Sequence, residues 1–259
     1  MTASGSSPTT PPDADAAAIA AAWADATARV AASALRAGRR PEAVRIVAAT
    51  KTVPVERIRA LLAAGCTDLG ENRAQELVAK APELAHEVAG GPPTWHFIGP
   101  LQRNKIRALA PLVSCWHTVD RPALVPGIAG HAPGATVLVE VNLAREPQKA
   151  GCDPDDVAAL VGQADRAGLR VVGLMTVPPR GGDPRPWFAE LAARAADLGL
   201  AECSMGMSED FEVAVEEGAT MVRLGRVLLG ARPANPADGS GDGPRDGPGD
   251  VPGFGGSPG

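Results

Sequence analysis

A chain of 259 residues is long enough for one α/β barrel or for two small domains. Its formal net charge of −5 gives no basic surface for nucleic acid, and no apolar run reaches the ~20 residues that span a bilayer. The N-terminal stretch MTASGSSPTTPPDADAAA lacks the basic start and apolar segment of a secretory signal. These features predict a cytoplasmic protein with neither a membrane nor a nucleic-acid partner.

The two ends of the chain differ in composition from its middle. Residues 1–12 are rich in Ser, Thr and Pro, and residues 234–259 are mostly Gly, Pro and Asp, so neither end can bury an apolar core. We therefore expect disordered tails at both ends and one folded domain at 13–233. This domain opens with an Ala-rich helix, for which Asp13 is the predicted N-cap.

From residue 45 onward, short apolar strands alternate with segments of helical spacing. Strands are predicted at 45–50, 67–70, 94–99, 114–119, 135–142, 170–177, 202–206 and 221–225. Several are apolar on both faces, which is typical of a parallel sheet covered by helices. The α/β pattern therefore favours a single closed (β/α)8 TIM barrel. A doubly wound open sheet is the second choice, because no GxGxxG follows the first strand.

The helix predicted at 121–132 is the weakest, because Pro122, Pro126 and Gly127 interrupt it.

The chain contains few thiol, phenol or amine side chains that could act as nucleophiles or bases. The four cysteines lie far apart without CxxC spacing, which is typical of reduced thiols and argues against zinc. The chain has no tyrosine, and its lysines are Lys51, Lys80, Lys105 and Lys149. Lys80 falls in a helical run and is predicted on the surface. Lys105 and Lys149 are interpreted as solvated loop charges, with a second, weaker role in cofactor contact or release as the alternative.

Lys51 stands where the first strand leaves the core. Ligand groups of such barrels lie at the C-terminal ends of the strands. An apolar barrel rim disfavours an ammonium ion and favours the free amine, which a Schiff base with an aldehyde requires. The alternative is that Lys51 extends from the strand end into solvent.

The loops after strands seven and eight, SMGMSED and LGRVLLG, have the composition of a phosphate site. The first offers the hydroxyls of Ser204 and Ser208, and Gly206 and Gly225 let the backbone approach an anion. Ser208 can instead be the N-cap of the following helix. We expect the anion near Ser204, Gly206 and Gly225, across the mouth from Lys51. A lysine and a phosphate site indicate a phosphorylated aldehyde such as pyridoxal 5′-phosphate (PLP), although aldol-type barrels combine the same features.

Arg223 lies within strand eight, between two apolar residues, and is predicted to point into the barrel mouth. An arginine facing a pyridine nitrogen can only donate, which keeps that nitrogen unprotonated and makes the ring a weak electron sink. The alternative is a structural salt bridge from Arg223 to an acid such as Asp68 or Glu71.

Six segments, VAATKTVP, DLGENRAQEL, WHFIGPLQRNK, VLVEVN, GLMTV and CSMGMSEDFEVAVEEGATMVRLG, together resemble the pyridoxal-phosphate homeostasis proteins. The resemblance covers roughly residues 20–232. It implies a barrel like the N-terminal domain of alanine racemase, with PLP held on the lysine of the first strand.

The resemblance also implies a role for individual residues. Lys51 would form the aldimine, Arg223 would face the pyridine nitrogen, and Asn72 would line the cofactor near its ring. The residues around the phosphate would be Ser204, Gly206, Ser208 and Gly225. His96 is interpreted as a satisfied core histidine rather than a catalytic one.

One position departs from the family pattern. Arg226 stands where the family usually has a small hydroxyl residue at the phosphate. Its guanidinium either replaces that hydrogen bond or points away from the site.

Taken together, these features predict a monomeric, non-enzymatic PLP-binding protein of intracellular PLP homeostasis. It would hold PLP on Lys51 and supply it to PLP-dependent apoenzymes. A PLP-dependent amino-acid racemase is the first alternative, although the usual two-base racemase needs a tyrosine that this chain lacks. A cofactor-free Schiff-base aldolase is the second.

Overall fold

The computed structural model describes residues 12–88 and 91–230 of the chain. Within them, eight parallel strands form a closed barrel in the order β1-β2-β3-β4-β5-β6-β7-β8, with β8 returning to pair with β1. The predicted (β/α)8 barrel is therefore confirmed. The tails predicted at 1–12 and 234–259 lie outside the described residues, apart from Pro12.

All eight predicted strands are present, most of them shorter than the sequence pattern suggested. They are β1 Arg45–Ala49, β2 Asp68–Glu71, β3 Thr94–Phe97, β4 Cys115–Val119, β5 Thr136–Glu140, β6 Arg170–Met175, β7 Glu202–Ser204 and β8 Met221–Leu224. The helices are α1 Pro12–Arg36, α2 Val55–Ala63, α3 Ala74–Glu83, α4 Ile106–Leu109, α5 Val125–His131, α6 Val157–Arg166, α7 Arg185–Asp197, α8 Phe211–Glu216 and α9 Arg226–Leu229.

Alternation along the strands separates two cores. The barrel interior is filled by a small apolar cluster, and a larger cluster lies between the sheet and the helices. The members of the inner cluster are Val47, Cys115, Leu138, Met175 and Met221. Because side chains alternate between the two faces of a strand, the residues two positions further along face the same interior, nearer the mouth.

The first helix begins at Pro12, so Asp13 lies inside its first turn and the predicted N-cap is wrong. Proline is well suited to a first helical turn because its missing N–H would be unpaired there anyway. α1 packs across α2, α8 and α9, burying Ile19 and Val30 against the outer core.

The region with the weakest helical pattern forms a short 3-10 turn, Pro122–Leu124, followed by α5. Pro126 is tolerated because it occupies the first turn of α5. Gly127 packs closely against α4, since a Cβ at this position would lie 2.9 Å from Ile106 Cδ1, the movable end of that side chain.

Among the residues that the structure describes, no helix is both long and apolar enough to cross a bilayer.

Candidate cofactor site at the mouth of the barrel

Lys51 follows the last residues of β1 and lies beside the loop that leaves β8. The two strands pair in parallel, with Ala48 opposite Leu224. A Cβ on Gly225 would lie 3.4 Å from the carbonyl oxygen of Ala49, so this loop approaches the end of β1 closely. The sequence predicted the phosphate loops across the mouth from the lysine. In the structure the loop after β8 is instead next to it, because a closed barrel makes the first and last strands neighbours.

Arg223 is buried inside the barrel, as predicted. Its Nη1 donates to Ser204 Oγ at 2.7 Å and its Nη2 donates to the carbonyl oxygen of Thr176 at 2.9 Å. Burial lowers the pKa of Arg223 to about 10, and the carboxylates of Glu140 and Asp210 oppose this shift. The guanidinium therefore stays charged at neutral pH, and two hydrogen bonds fix its plane.

Of the acids suggested as salt-bridge partners of Arg223, neither Asp68 nor Glu71 pairs with it. Asp68 hydrogen-bonds His96, and Glu71 pairs with Lys80.

A hydrogen-bond chain crosses the barrel interior from Arg223 to Asp68. Ser204 Oγ lies 2.9 Å from His117 Nδ1, and His117 Nε2 lies 2.8 Å from His96 Nδ1. His96 Nε2 lies 2.9 Å from Asp68 Oδ1. The chain therefore connects the mouth, where β8 ends, with the opposite rim, where Asp68 begins β2.

With both histidines neutral, the two ends of this chain set the direction of every hydrogen bond in it. Arginine can only donate, and an ionised aspartate can only accept. Each link has one donor and one acceptor when His117 and His96 are neutral and carry their proton on Nε2. Burial lowers the pKa of His117 well below its usual range, which agrees with a neutral ring.

Asp68 is held in its ionised form. Burial alone would raise the pKa of this carboxyl, but hydrogen bonds from His96 and Thr67 bring it below its usual value. His96 has both ring nitrogens engaged, so the structure supports its interpretation as a satisfied core histidine. His96, Cys115 and His117 could also be grouped as metal ligands, but the hydrogen-bond chain already accounts for both histidines.

The hydroxyl of Ser204 does not fit its predicted role at a phosphate. The residue is fully buried, and its Oγ accepts from Arg223 and donates to His117. Ser208 lies in the loop above it, where its Oγ accepts from the N–H of Val227 at the start of α9. This bond joins the two predicted phosphate loops to each other.

Gly206 is required by the backbone between these loops. Its φ of +88° lies in the left-handed region, and a Cβ would come within 2.5 Å of Ala214 Cβ. Its carbonyl oxygen accepts from the N–H of Arg223, which ties the loop after β7 to β8.

Several buried side-chain polar atoms among the described residues have no hydrogen-bond partner, and two of them concern the candidate site. They are Asn72 Oδ1, which follows β2, and Glu140 Oε2, at the end of β5. Burial raises the pKa of Glu140 to about 7, with Asp120 adding to the shift and Arg223 opposing it. Buried polar atoms are normally paired, so both oxygens are available to a ligand or to water.

Arg226 points away from the barrel. Its guanidinium is 2.5 Å from Glu209 Oε1, and its side chain is 57% exposed. The carboxylate of Asp210 accepts from the backbone N–H of Met207 and holds the loop after β7. Of the two orientations left open by the sequence, the structure therefore has the one in which Arg226 does not replace a phosphate ligand.

Lys80 contradicts its prediction as a surface residue. It is only 8% exposed, and its Nζ contacts Glu71 Oε1 at 2.6 Å and Glu76 Oε2 at 2.9 Å. Burial raises the pKa of Glu71, and the hydrogen bond and charge of Lys80 oppose that shift. The spacing of α3 contained a signal for this position, because Lys80 falls three residues after the buried Leu77 and four before the buried Leu84.

Known proteins resemble this chain across the whole barrel. The family model for the alanine racemase N-terminal domain matches residues 22–233. The pyridoxal phosphate homeostasis protein of Pseudomonas aeruginosa is 40% identical over 215 residues, covering 79% of this chain and 92% of that protein. The protein of the same name from Deinococcus radiodurans is 45% identical over 204 residues, covering 75% and 92%.

The chain belongs to the family of pyridoxal phosphate homeostasis proteins.

Solved structures of the same shape support this assignment. PipY of Synechococcus elongatus, determined with PLP bound, is 35% identical with a TM-score of 0.69, covering 79% of this chain and 99% of PipY. An unknown protein from Bifidobacterium adolescentis is 33% identical with a TM-score of 0.78, covering 85% and 98%.

Sequence reasoning missed several residues of this candidate site. His117 lies two residues after the inward-facing Cys115, so strand alternation could have placed it inside the barrel. Glu140 likewise lies two residues after Leu138. The carbonyl oxygen of Thr176 as a partner of Arg223 had no signal in the sequence, because backbone groups carry none.

Proposed function

We propose that the protein binds PLP at the mouth of the barrel and takes part in intracellular PLP homeostasis without catalysing a reaction. Lys51 holds the cofactor covalently as an aldimine, and the protein supplies it to PLP-dependent apoenzymes. The observation that carries the proposal is the approach of Gly225 to the end of β1, which brings the loop after β8 beside Lys51. PLP has its aldehyde and its phosphomethyl group on neighbouring ring carbons, so it needs a lysine and an anion site side by side.

The covalent step is reversible and needs no other reactant. The uncharged amine of Lys51 attacks the aldehyde carbon, a C=N bond forms, and the aldehyde oxygen leaves as water. Water or an incoming primary amine reverses the bond and releases the cofactor. A buffer and carrier requires this reversibility.

The remaining polar groups of the mouth fit the rest of PLP. We assign Arg223 to the pyridine nitrogen, Asn72 to the ring substituents, and the backbone at Gly206 and Gly225, with Ser208, to the phosphate. The unpaired Oδ1 of Asn72 supports its role as a ligand of the ring. Ser204 supports the site indirectly, by holding the guanidinium of Arg223.

The same groups argue against the alternative of a PLP-dependent amino-acid racemase. A charged arginine at the pyridine nitrogen makes the ring a weak electron sink. The usual second base of such racemases, a tyrosine opposite the lysine, is also missing, since the chain contains no tyrosine. All four cysteines are buried, and burial raises their pKa values to about 11 or 12. We therefore propose a binding protein and not an enzyme.

The wider setting follows from the same chemistry. Four unpaired thiols suit a reducing compartment, and we propose the cytoplasm as the location. We propose that the protein acts as a monomer and that its partners are PLP-dependent apoenzymes.

The test is an absorbance spectrum of the purified protein with PLP, before and after borohydride, followed by mapping of the reduced peptide. We expect a band near the visible edge that borohydride bleaches, with the label on the peptide that contains Lys51. The band should be strongly reduced in Lys51→Ala, and a native chain that takes up no PLP contradicts the proposal.

Carrier function is tested separately. Loaded protein is mixed with a PLP-dependent apoenzyme while a phosphatase destroys free PLP, and recovery of enzyme activity is followed. Recovery that exceeds the recovery with free PLP alone is expected, and an alanine racemase assay on the same preparation should show no turnover.

A further inference from the structure

The turn that carries Lys51 is held on both sides by one buried cluster. Lys80 Nζ donates to the carbonyl oxygen of Thr50 at 2.8 Å, immediately before Lys51. The N–H of Thr52, immediately after it, donates at 2.6 Å to Glu76 Oε2, which is itself 2.9 Å from Lys80 Nζ. Lys80 therefore holds one neighbour of the proposed cofactor lysine directly and the other through Glu76.

A third arm anchors the cluster to the barrel. The hydroxyl of Thr50 donates to Glu71 Oε1 at 2.8 Å, and the same oxygen accepts from Lys80 at 2.6 Å. Glu71 and Thr50 are both fully buried. We call Lys80, Glu71, Glu76, Thr50 and Thr52 the Lys80 clamp.

The turn needs an external support because its backbone is strained. Thr52 has a φ of +62°, in the left-handed region that a β-branched residue rarely occupies. Such strain persists only where the surroundings hold it, and it is common at functional sites. The hydrogen bond to Glu76 is one of those supports.

Lys80 has no capacity left to bind a ligand. An ammonium group has three donors, and Thr50 O, Glu71 and Glu76 are three acceptors within 2.9 Å. Its role toward the cofactor is therefore exerted through the backbone.

We propose that Lys80 is a positioning residue that fixes the direction of Lys51 toward the cofactor aldehyde; the inference rests on the proposed function. Lys80 holds the backbone of the 50–52 turn, so the amine of Lys51 reaches the carbon it must attack. Supports of this kind, behind the residues that touch a ligand, set how well those residues are oriented.

The experiment separates covalent from non-covalent binding. The native chain and Lys80→Met are titrated with PLP and with pyridoxine 5′-phosphate, which keeps the ring and the phosphate but has an alcohol in place of the aldehyde. Methionine keeps an apolar stem of similar length and removes all three donors. Because loss of a supporting partner typically costs 10- to 100-fold, we expect PLP affinity to fall at least about tenfold. Affinity for pyridoxine 5′-phosphate should stay within about twofold of the native value.

The matched control is Arg59→Met, which removes a cation from α2 that pairs with Glu87 and is 40% exposed. It should leave both affinities unchanged. Circular dichroism and the melting temperature of each variant report whether the barrel is retained.

A second variant keeps the test usable if Lys80→Met does not fold. Glu76→Ala removes the acceptor of the Thr52 N–H but leaves Lys80 bonded to Thr50 and Glu71. Its control on the same helix is Glu83→Ala, at an exposed position. We expect a smaller loss of PLP affinity in Glu76→Ala, again without loss of pyridoxine 5′-phosphate affinity.

Other outcomes overturn the inference. Equal losses for PLP and pyridoxine 5′-phosphate mean that Lys80 acts only on the fold, and unchanged PLP affinity means that the clamp does not position Lys51. A native chain that binds neither compound overturns the proposed function together with this inference, whereas native covalent binding with an unaffected Lys80→Met overturns this inference alone.

Discussion

The hydroxyl of Ser204 accepts a hydrogen bond from Arg223 Nη1 over 2.7 Å and lies 2.9 Å from His117 Nδ1. This single oxygen joins the arginine at the barrel mouth to the pair of histidines in the barrel interior. Ser204 thus connects the proposed cofactor site to the core, and we expect its removal to have other consequences than the removal of a phosphate ligand.

Ser204→Ala and Ser208→Ala should therefore have different ligand profiles. Ser204→Ala removes a hydrogen-bond partner of Arg223, so we expect it to lower the affinities for PLP and for unphosphorylated pyridoxal by the same factor. Ser208→Ala should lower the affinity for PLP and leave the affinity for pyridoxal unchanged. Titration of both variants with both compounds measures this, and a phosphate-dependent loss in Ser204→Ala would return that residue to the phosphate site.

The histidine chain should contribute strongly to stability. His117→Phe removes the acceptor of the Ser204 hydroxyl and the donor to His96, leaving buried polar groups unpaired. We expect the free energy of unfolding to fall by about 2–4 kcal/mol. Urea denaturation measures the loss. His131→Phe, at an exposed position at the end of α5, is the control and should change stability little.

Glu140 should make stability depend on pH in the cofactor-free protein. Burial raises the pKa of its carboxyl from 4.5 to about 7, so the native state binds the proton more tightly than the unfolded chain. Its contribution is fully present below pH 4.5 and is lost as the pH rises through about 7. We therefore compare the free energy of unfolding of Glu140→Gln with that of the native chain. The difference in favour of the variant should be about 2 kcal/mol larger at pH 8 than at pH 5.

Denaturant unfolding of Glu140→Gln and the native chain at the two pH values gives this difference directly. Glu190→Gln, which alters a partly exposed glutamate paired with Arg194, should show no comparable change between the two pH values. If Glu140→Gln gains the same stability over the native chain at pH 5 and at pH 8, the effect comes from packing and not from titration.

Gly206 should tolerate no side chain. In Gly206→Ala the new Cβ would meet Ala214 Cβ at 2.5 Å on a backbone with a φ of +88°. We expect the free energy of unfolding to fall by about 3 kcal/mol, from overpacking and backbone strain together. Gly168→Ala isolates the strain, since Gly168 has a φ of +79° and a Cβ added there would meet nothing within 4 Å, and it should cost about 1 kcal/mol. Thermal or urea unfolding of both variants tests the difference.

The local hydrophobic pattern of the sequence was sufficient to predict the barrel fold. Strands such as Thr136–Glu140 and Arg170–Met175 are apolar on both faces, and only a sheet covered on both sides buries such residues. Lys51 and Arg223 could be identified for the same reason, because a charged residue at the end of, or within, an apolar strand has to face either the mouth or a partner.

Contacts between distant segments were decided only by the tertiary structure. The spacing of its helix could have shown that Lys80 faces the core, but no local pattern shows that Glu71 lies within 2.6 Å of its amine. Ser204 was assigned to the phosphate, because the sequence does not show that its hydroxyl lies within hydrogen-bond distance of His117, 87 residues earlier.

The sequence by itself determined which faces must be buried and where the strands end, since hydrophobic periodicity is a local property of the chain. The closure of the barrel decided which polar groups meet. It set β8 beside β1 and so placed Gly225 next to the residues that precede Lys51. The hydrogen-bond partners of buried polar atoms depend on distances across the fold, and no local pattern encodes those distances.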